Sequence, residues 1–88
     1  MNFEWDSKKD GINVEKHGVQ FEEAKHAFYD KKRIIAEDIK HVTNKEKRYF
    51  CFGKVNDRIM TVRFTIRGRK IRIFGAGYWR EGAKKYEK

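Results

Sequence analysis

The stretch "VRFTIRGRKIRIF", Val62 to Phe74, limits the possible folds more than any other part of the chain. Apolar residues alternate with cations on both sides of one glycine, and strict alternation is the period of a half-buried strand. The stretch therefore predicts a β-hairpin with one apolar face and one basic face. Gly68 and Arg69 then form a two-residue turn of type II′ with glycine first. The resulting cross-strand pairs are Arg67 with Lys70, Thr65 with Arg72, and Arg63 with Phe74.

A second hairpin is predicted to extend this sheet. If Asn56 and Asp57 turn the chain, Arg48 lies opposite Thr65 and Phe50 opposite Arg63, while Tyr49 and Cys51 join the apolar face. The basic face then combines cations with aromatic rings and contains no acid of its own. Its expected members are Arg48, Phe50, Phe52, Thr61, Arg63, Thr65, Arg67, Lys70, Arg72 and Phe74.

The other segments predict an α+β fold. The motif "FEWD" indicates a first strand, and Asp6 or Ser7 can cap a helix over "SKKDGINVEKH" that ends at Gly18. Apolar residues recur at helical spacing from Phe21 to Phe28, "RIIAEDIKH" indicates a further strand, and "YWREGAKKYEK" a last helix. The predicted order is β-α-α-β-β-β-β-α, an antiparallel β-meander with two N-terminal helices and a C-terminal helix packed on one face. All 88 residues are expected to form one domain.

The charge of the chain points to an anionic partner. It has 22 basic and 13 acidic residues, a net charge of +9, which favours binding to nucleic acid or to an acidic protein. No apolar run approaches the ~20 residues that span a bilayer, and the N-terminus lacks a signal-peptide core, so we expect a cytoplasmic protein with no membrane contact. The single cysteine, Cys51, excludes an intrachain disulfide. No pair of histidines or carboxylates shows ligand spacing, so neither a metal nor a cofactor is expected.

The basic face has a functional and a structural interpretation. Its cations can meet RNA phosphates while its exposed rings stack on bases. It can instead be a solvated outer face, neutralised by acids from elsewhere such as Glu37, Asp38 and Glu46. Because like charges placed side by side on a sheet are destabilising, we favour a binding face.

Metal-free cleavage of RNA requires more than a basic face. A base must take the 2′-OH proton, cations must stabilise the phosphorane, and an acid must protonate the leaving oxygen. The arginines can supply the charge, and His41, Glu46 and Tyr78 are the candidates for proton transfer. His17 is a further candidate, although a histidine at a helix end can instead cap the C-terminus of that helix.

Several motifs together resemble the BrnT toxins of type II toxin–antitoxin modules. They are "FEWD", "KHGVQFEEA", "DIKH", "EKRYFCFG", "FTIRGRKIRI" and "YE", and they extend from Phe3 to Glu87. The resemblance implies a RelE/ParE-like fold and a ribonuclease that blocks translation. It also implies a BrnA-type antitoxin that neutralises the toxin and through which the complex binds promoter DNA. The matched polar positions are His17, Asp38, His41, Glu46, Arg48, Arg58, Thr65, Arg67 and Arg72.

One segment departs from the family pattern. Many members follow the last strand with Ser-Ala-Arg, whereas this chain has Gly75-Ala76-Gly77 followed by "YWR", so that Tyr78 or Arg80 would have to substitute. We therefore predict catalytic roles for His41, Glu46, Arg67, Arg72 and Tyr78, and RNA-binding roles for Arg48, Arg58, Arg63, Thr65, Lys70 and Arg80. The alternatives are a non-catalytic nucleic-acid-binding module and an interaction domain for an acidic partner.

Overall fold

The computed structural model describes residues 1–40 and 46–88, which follow the predicted order of elements. The second predicted helix is divided into one α-helical turn and a 3₁₀ helix, Lys25–Tyr29, and the predicted strand "RIIAEDIKH" is reduced to four residues. The strands are β1 (Asn2–Trp5), β2 (Ile34–Glu37), β3 (Tyr49–Val55), β4 (Arg58–Arg67) and β5 (Lys70–Gly77); the α-helices are α1 (Ser7–His17), α2 (Phe21–Ala24) and α3 (Arg80–Tyr86).

The strands form one mixed sheet in the order β1-β5-β4-β3-β2. The pairs β2–β3, β3–β4 and β4–β5 are antiparallel, as predicted for the meander. The prediction of a purely antiparallel sheet is wrong, because β1 joins the far edge parallel to β5, with Glu4 beside Arg72. Alternation along a strand shows which residues share a face, but it does not identify a partner strand from a distant part of the sequence.

Both predicted turns are confirmed. Gly68 has a φ of +62° and Arg69 has no positive φ, as a type II′ turn requires, whereas Asn56 and Asp57 both have positive φ, as in type I′. Phe50 lies opposite Arg63, as expected from the second turn. In the first hairpin, the pairs Arg67–Lys70 and Thr65–Arg72 are confirmed.

The predicted pair of Arg63 with Phe74 is wrong. A β-bulge between Arg63 and Phe64 shifts the register, so that Arg63 lies opposite Gly75 and Phe74 is the extra residue. A Cβ at position 75 would lie 3.4 Å from the Arg63 side chain, an ordinary van der Waals contact, so the two residues pack side by side. The bulge therefore places an arginine side chain and an aromatic ring side by side at the middle of the sheet.

The apolar core lies on one face of the sheet, under α2 and the 3₁₀ helix. Phe21 and Ala27 are fully buried there, against Met60 and Val62 of β4. Cys51 is part of this core, and burial raises the pKa of its thiol to about 12. The cysteine is therefore a buried apolar side chain, as predicted.

Helix α3 packs on the opposite face, so the prediction that all helices share one face is wrong. Gly82 lies directly on Thr61: a Cβ at position 82 would be only 1.9 Å from the Thr61 hydroxyl oxygen. The same contact covers Phe52, of which 3% is exposed. The apolar pattern of a short helix does not predict which face of the sheet the helix covers. Here the absence of a side chain at Gly82 allows α3 to approach Thr61 closely.

Helix α1 has the predicted ends and lies at the edge of the sheet. The Asp6 side chain accepts a hydrogen bond from the Lys8 amide, and Gly18 has a φ of +68° at the C-terminal end. The buried Asn13 amide bonds both the carbonyl and the N–H of Ala76, at 2.9 and 3.1 Å, where β5 extends beyond β1. Asn13 thus fixes α1 beside the basic face. None of the described helices has the length and apolar character to cross a membrane.

Candidate nucleic-acid interface

The face of the sheet opposite the core carries the predicted cations, and we call it the basic face. Along β4 it presents Thr61, Arg63, Thr65 and Arg67, which alternate with the core residues of the same strand. Thr65 is 5% exposed and lies at the centre, as the predicted register requires. The face continues with Phe50 and Phe52 on β3, Lys70 and Arg72 on β5, and Glu4 on β1.

One end of the basic face is neutralised by carboxylates, and we call it the paired end; it consists of Arg67, Lys70, Arg72, Glu46 and Glu4. The Arg67 guanidinium donates to both Glu46 carboxylate oxygens, at 2.7 and 3.2 Å, and this hydrogen bonding lowers the pKa of Glu46. Arg72 and Lys70 contact Glu4 at 3.2 and 3.8 Å. The expectation that the face contains no acid of its own is therefore wrong.

The middle of the basic face has a different composition, and we call it the arginine centre; it consists of Arg48, Arg63 and Phe74. The two guanidinium groups lie 4.9 and 5.0 Å from the centre of the Phe74 ring, within range of a cation–π interaction. Among residues 1–40 and 46–88, no carboxylate forms an ion pair with either arginine. Two positive charges share one ring here, an arrangement that favours an anion.

A groove between α1 and the arginine centre brings in residues from a distant part of the sequence. It has a volume of about 180 Å³ and is lined by Arg63 and Phe74 together with Lys9, Lys16 and His17 of α1. The His17 ring packs edge-on against Trp79 at 5.1 Å. His17 is the last residue of α1, as predicted, and its ring also lines the groove beside Arg63. An imidazole and three cationic side chains therefore line the same groove.

Tyr78 lies at the other end of the sheet. Its hydroxyl donates to Glu23 at 2.5 Å, and Arg58 stacks on its ring at 4.1 Å. Burial, followed by the hydrogen bond to Glu23, raises the pKa of Tyr78 to about 12. About 25 Å of strand separates it from Lys70, at roughly 3.3 Å per residue. The structure therefore does not bring Tyr78 together with Arg67 and Arg72.

The other predicted site residues are distributed between these regions. Arg58 and Arg80 border one shallow groove beside Tyr78, far from the paired end. Asp38 is 4% exposed, and its backbone N–H donates to the Arg48 carbonyl at 2.8 Å, so it positions the start of β3. His41 lies outside the described residues.

Gly75 and Gly77 lie shortly before Trp79 in the sequence. A Cβ at Gly77 would lie 2.5 Å from the Trp79 ring, so glycine allows the indole to pack directly on the end of β5. Trp79 is thereby placed beside His17. The close packing of Trp79 on Gly77 thus builds one wall of the α1 groove.

Two groups of functional residues escaped the sequence interpretation. Glu4 was missed because its neighbours on β5 depend on a parallel pairing between the two ends of the chain. Lys9 and Lys16 were missed as site residues, although their seven-residue spacing places them on one face of α1, since two helical turns separate them. That spacing shows that the two lysines share one face of α1, but it does not show which part of the sheet lies opposite that face.

Comparison with known proteins identifies a family. The model of the family described as "Ribonuclease toxin, BrnT, of type II toxin-antitoxin system" matches residues 5–82 of the chain. A search among curated proteins returned no match. The matched range includes the last residue of β1, all of α1, the whole hairpin of β4 and β5, and the first residues of α3.

Proposed function

Because the chain belongs to the BrnT ribonuclease toxins of type II toxin–antitoxin systems, we propose that its basic face binds RNA and cleaves it without a metal ion. Cleavage of cellular RNA would inhibit translation. The observation that carries this proposal is the arginine centre, where Arg48 and Arg63 lie against Phe74 without a carboxylate partner among the described residues. The charge that develops on a phosphorane is stabilised by fixed cations of this kind.

The arginine centre holds the scissile phosphate in this proposal, and the paired end holds a neighbouring one. Arg67, Lys70 and Arg72 must exchange a carboxylate for a phosphate before they bind RNA, because Glu46 and Glu4 occupy them. Arg48 and Arg63 need no such exchange. Thr65 lies between the two regions and can donate its hydroxyl to the backbone of the bound strand.

His17 is the proton-transfer residue that this arrangement favours. It lines the same groove as Arg63, and imidazole is the commonest general acid–base group in enzymes. Glu46 is the second candidate, but its lowered pKa makes it a weaker base, and its ionised form has no proton to donate. His41 remains a candidate from the sequence alone.

The regulatory part of the proposal follows the family. A type II toxin has an antitoxin, and we propose one of the BrnA type, through which the complex would bind promoter DNA in the cytoplasm. An acidic segment of that partner would cover the basic face and relieve its charge repulsion. We also propose that the mixed sheet represents the RelE/ParE-like arrangement.

The test combines growth with RNA chemistry. Expression from a tightly controlled promoter should arrest growth and fragment RNA, and the purified protein should cleave single-stranded RNA in the presence of EDTA. His17→Ala should reduce single-turnover cleavage by about 100-fold, the usual contribution of a general acid or base. His26→Ala is the matched control, since His26 is exposed on the 3₁₀ helix, on the core side of the sheet.

Two results would redirect the proposal. If the wild-type protein leaves growth and RNA unchanged, it is not a ribonuclease. If that inactive protein still binds RNA with a steep salt dependence, the non-catalytic nucleic-acid-binding module is the correct interpretation.

A further inference from the structure

A second groove lies on the basic face, between the sheet and α3. Its volume is about 230 Å³, and its walls are Phe50, Trp79, Gly82 and the exposed residues Glu81 and Lys85, with Phe52 and Thr61 at the base. None of the roles proposed above uses this groove. The close approach of Gly82 to Thr61 closes its lower side and leaves the upper side open.

Aromatic rings give the groove the shape of a stacking site. Phe50 and Phe52 are stacked, with ring centres 5.7 Å apart and planes inclined by 19°. Phe52 is covered by α3, but Phe50 is only partly buried and presents its ring to the groove. Trp79 contributes a second aromatic surface. Such partly exposed rings bind planar ligands, and bases of single-stranded RNA stack on them.

The groove is directly connected to the arginine centre. Phe50 lies opposite Arg63 in the β3–β4 register, and the side chains of directly opposed residues begin only about 5 Å apart. Trp79 lines both this groove and the α1 groove. A nucleotide whose phosphate contacts Arg63 can therefore place its base against Phe50.

Polar groups at the rim give the groove a hydrogen-bonding pattern. Glu81 and Lys85 lie one helical turn apart on α3 and present an acceptor and a donor on the same side. The Thr61 hydroxyl is the one buried side-chain polar atom without a partner in the described part of the chain. That hydroxyl lies beneath Gly82, so the polar groups that a ligand in the groove can reach are those of Glu81 and Lys85.

We propose that this groove is a nucleobase-binding subsite that selects guanine in the RNA held by the arginine centre. The guanine edge has an oxygen acceptor beside N–H donors, which matches the Lys85 ammonium and the Glu81 carboxylate. Adenine presents an amino donor where guanine has its oxygen, so it would face Lys85 with the wrong group. The inference rests on the proposed binding of RNA and adds a position where sequence is read.

Uncleavable RNA separates base recognition from backbone binding. The probes are pentamers of 2′-O-methyluridine that carry one guanine, one adenine or one abasic residue at the third position, with affinity measured by fluorescence anisotropy at fixed salt. The guanine probe should bind about 10-fold more tightly than the abasic probe, within the range for stacking of one base. It should also bind several-fold more tightly than the adenine probe.

Substitutions in the groove test whether these differences in affinity between the probes arise there. Phe50→Leu should remove most of the advantage of guanine over the abasic probe, whereas Tyr29→Leu, at an exposed ring on the 3₁₀ helix, should preserve it. Glu81→Gln should remove the preference for guanine over adenine, whereas Glu87→Gln, at the end of the same helix, should not. Circular dichroism and thermal melting check that each variant is folded.

The outcomes distinguish this inference from the function on which it rests. Equal affinity for the three probes, with tight binding that weakens in Arg63→Gln, would overturn the subsite but leave RNA binding intact. Discrimination that persists in a folded Phe50→Leu variant would also overturn it. Failure to bind any of the probes would contradict the binding of RNA itself.

Discussion

The paired end and the arginine centre carry the same residue types on the same sheet face, but they differ in their acidic partners. At the paired end, Glu46 and Glu4 neutralise Arg67, Lys70 and Arg72. At the arginine centre, Arg48 and Arg63 share the Phe74 ring, and no described carboxylate pairs with them. A count of cations favours the paired end, which has three against two, whereas the surroundings of the cations favour the centre as the site for an anion.

Within this comparison, the largest effect is expected when one arginine in each region is substituted and the rates of RNA cleavage are compared. Arg63→Gln should lower single-turnover cleavage of RNA by about 30-fold, since a hydrogen bond to a charged group contributes about 2 kcal/mol. Arg67→Gln should lower it by about threefold, because the lost phosphate contact is offset by the carboxylate that no longer has to be displaced. Arg33→Gln, which removes an exposed charge before β2, is the control for net charge. Equal losses at Arg63 and Arg67 would show that the comparison is wrong.

Tyr78 lies outside both the paired end and the arginine centre, so its substitution is a control for the comparison of the two regions. Tyr78→Phe should leave cleavage of RNA unchanged and lower the free energy of unfolding by about 1 kcal/mol at pH 8, the usual contribution of one hydrogen bond. The raised pKa of Tyr78, about 12, defines the pH window. The bond to Glu23 stabilises the folded protein fully below the ordinary tyrosine pKa of about 10, and this stabilisation is lost as the pH rises toward 12.

Urea unfolding at pH 8 and pH 11 measures this difference. The gap in unfolding free energy between the wild type and Tyr78→Phe should be smaller at the higher pH. A loss of cleavage in a stable Tyr78→Phe variant would instead restore the catalytic role that the sequence predicts for this tyrosine.

The smallest expected effect is a gain in affinity when the carboxylates are removed. Glu46→Gln and Glu4→Gln should each increase the affinity for RNA by about threefold, because ion pairs near the protein surface are screened by solvent and contribute little. Glu15→Gln, on the exposed surface of α1, corrects for the change in net charge. Equilibrium binding to uncleavable RNA measures the effect. A loss of affinity in Glu46→Gln would mean that Glu46 orients Arg67 for RNA and does not compete with it.

The sequence predicts the parts of this surface that depend on local chemistry. The turns at Gly68 and at Asn56–Asp57 set the registers of both hairpins, and Asp6 and Gly18 set the ends of α1, because each signal acts within a few residues. Those registers are sufficient to place Arg63, Thr65 and Arg67 on one face.

The remaining parts depend on contacts between distant segments. Glu4 reaches Arg72 through the parallel pairing of β1 with β5, and the alternating pattern does not reveal the bulge in the β4–β5 pairing that makes Phe74 an extra residue. Helix α3 covers Phe52 because Gly82 fits over Thr61, a contact that no periodicity reveals. The predicted cluster was therefore correct in its cations and incomplete in their partners.

The central claim is that the arginine centre, and not the paired end, provides the free positive charge that holds RNA. The most direct test is the salt dependence of binding to a 2′-O-methyl oligonucleotide, measured for the wild type, Arg63→Gln and Arg67→Gln. Each phosphate contact contributes about 0.7 to the slope of log affinity against log salt for a single strand. Arg63→Gln should lower the slope by about that amount, and Arg67→Gln should change it much less. A larger loss of slope in Arg67→Gln than in Arg63→Gln would contradict the central claim.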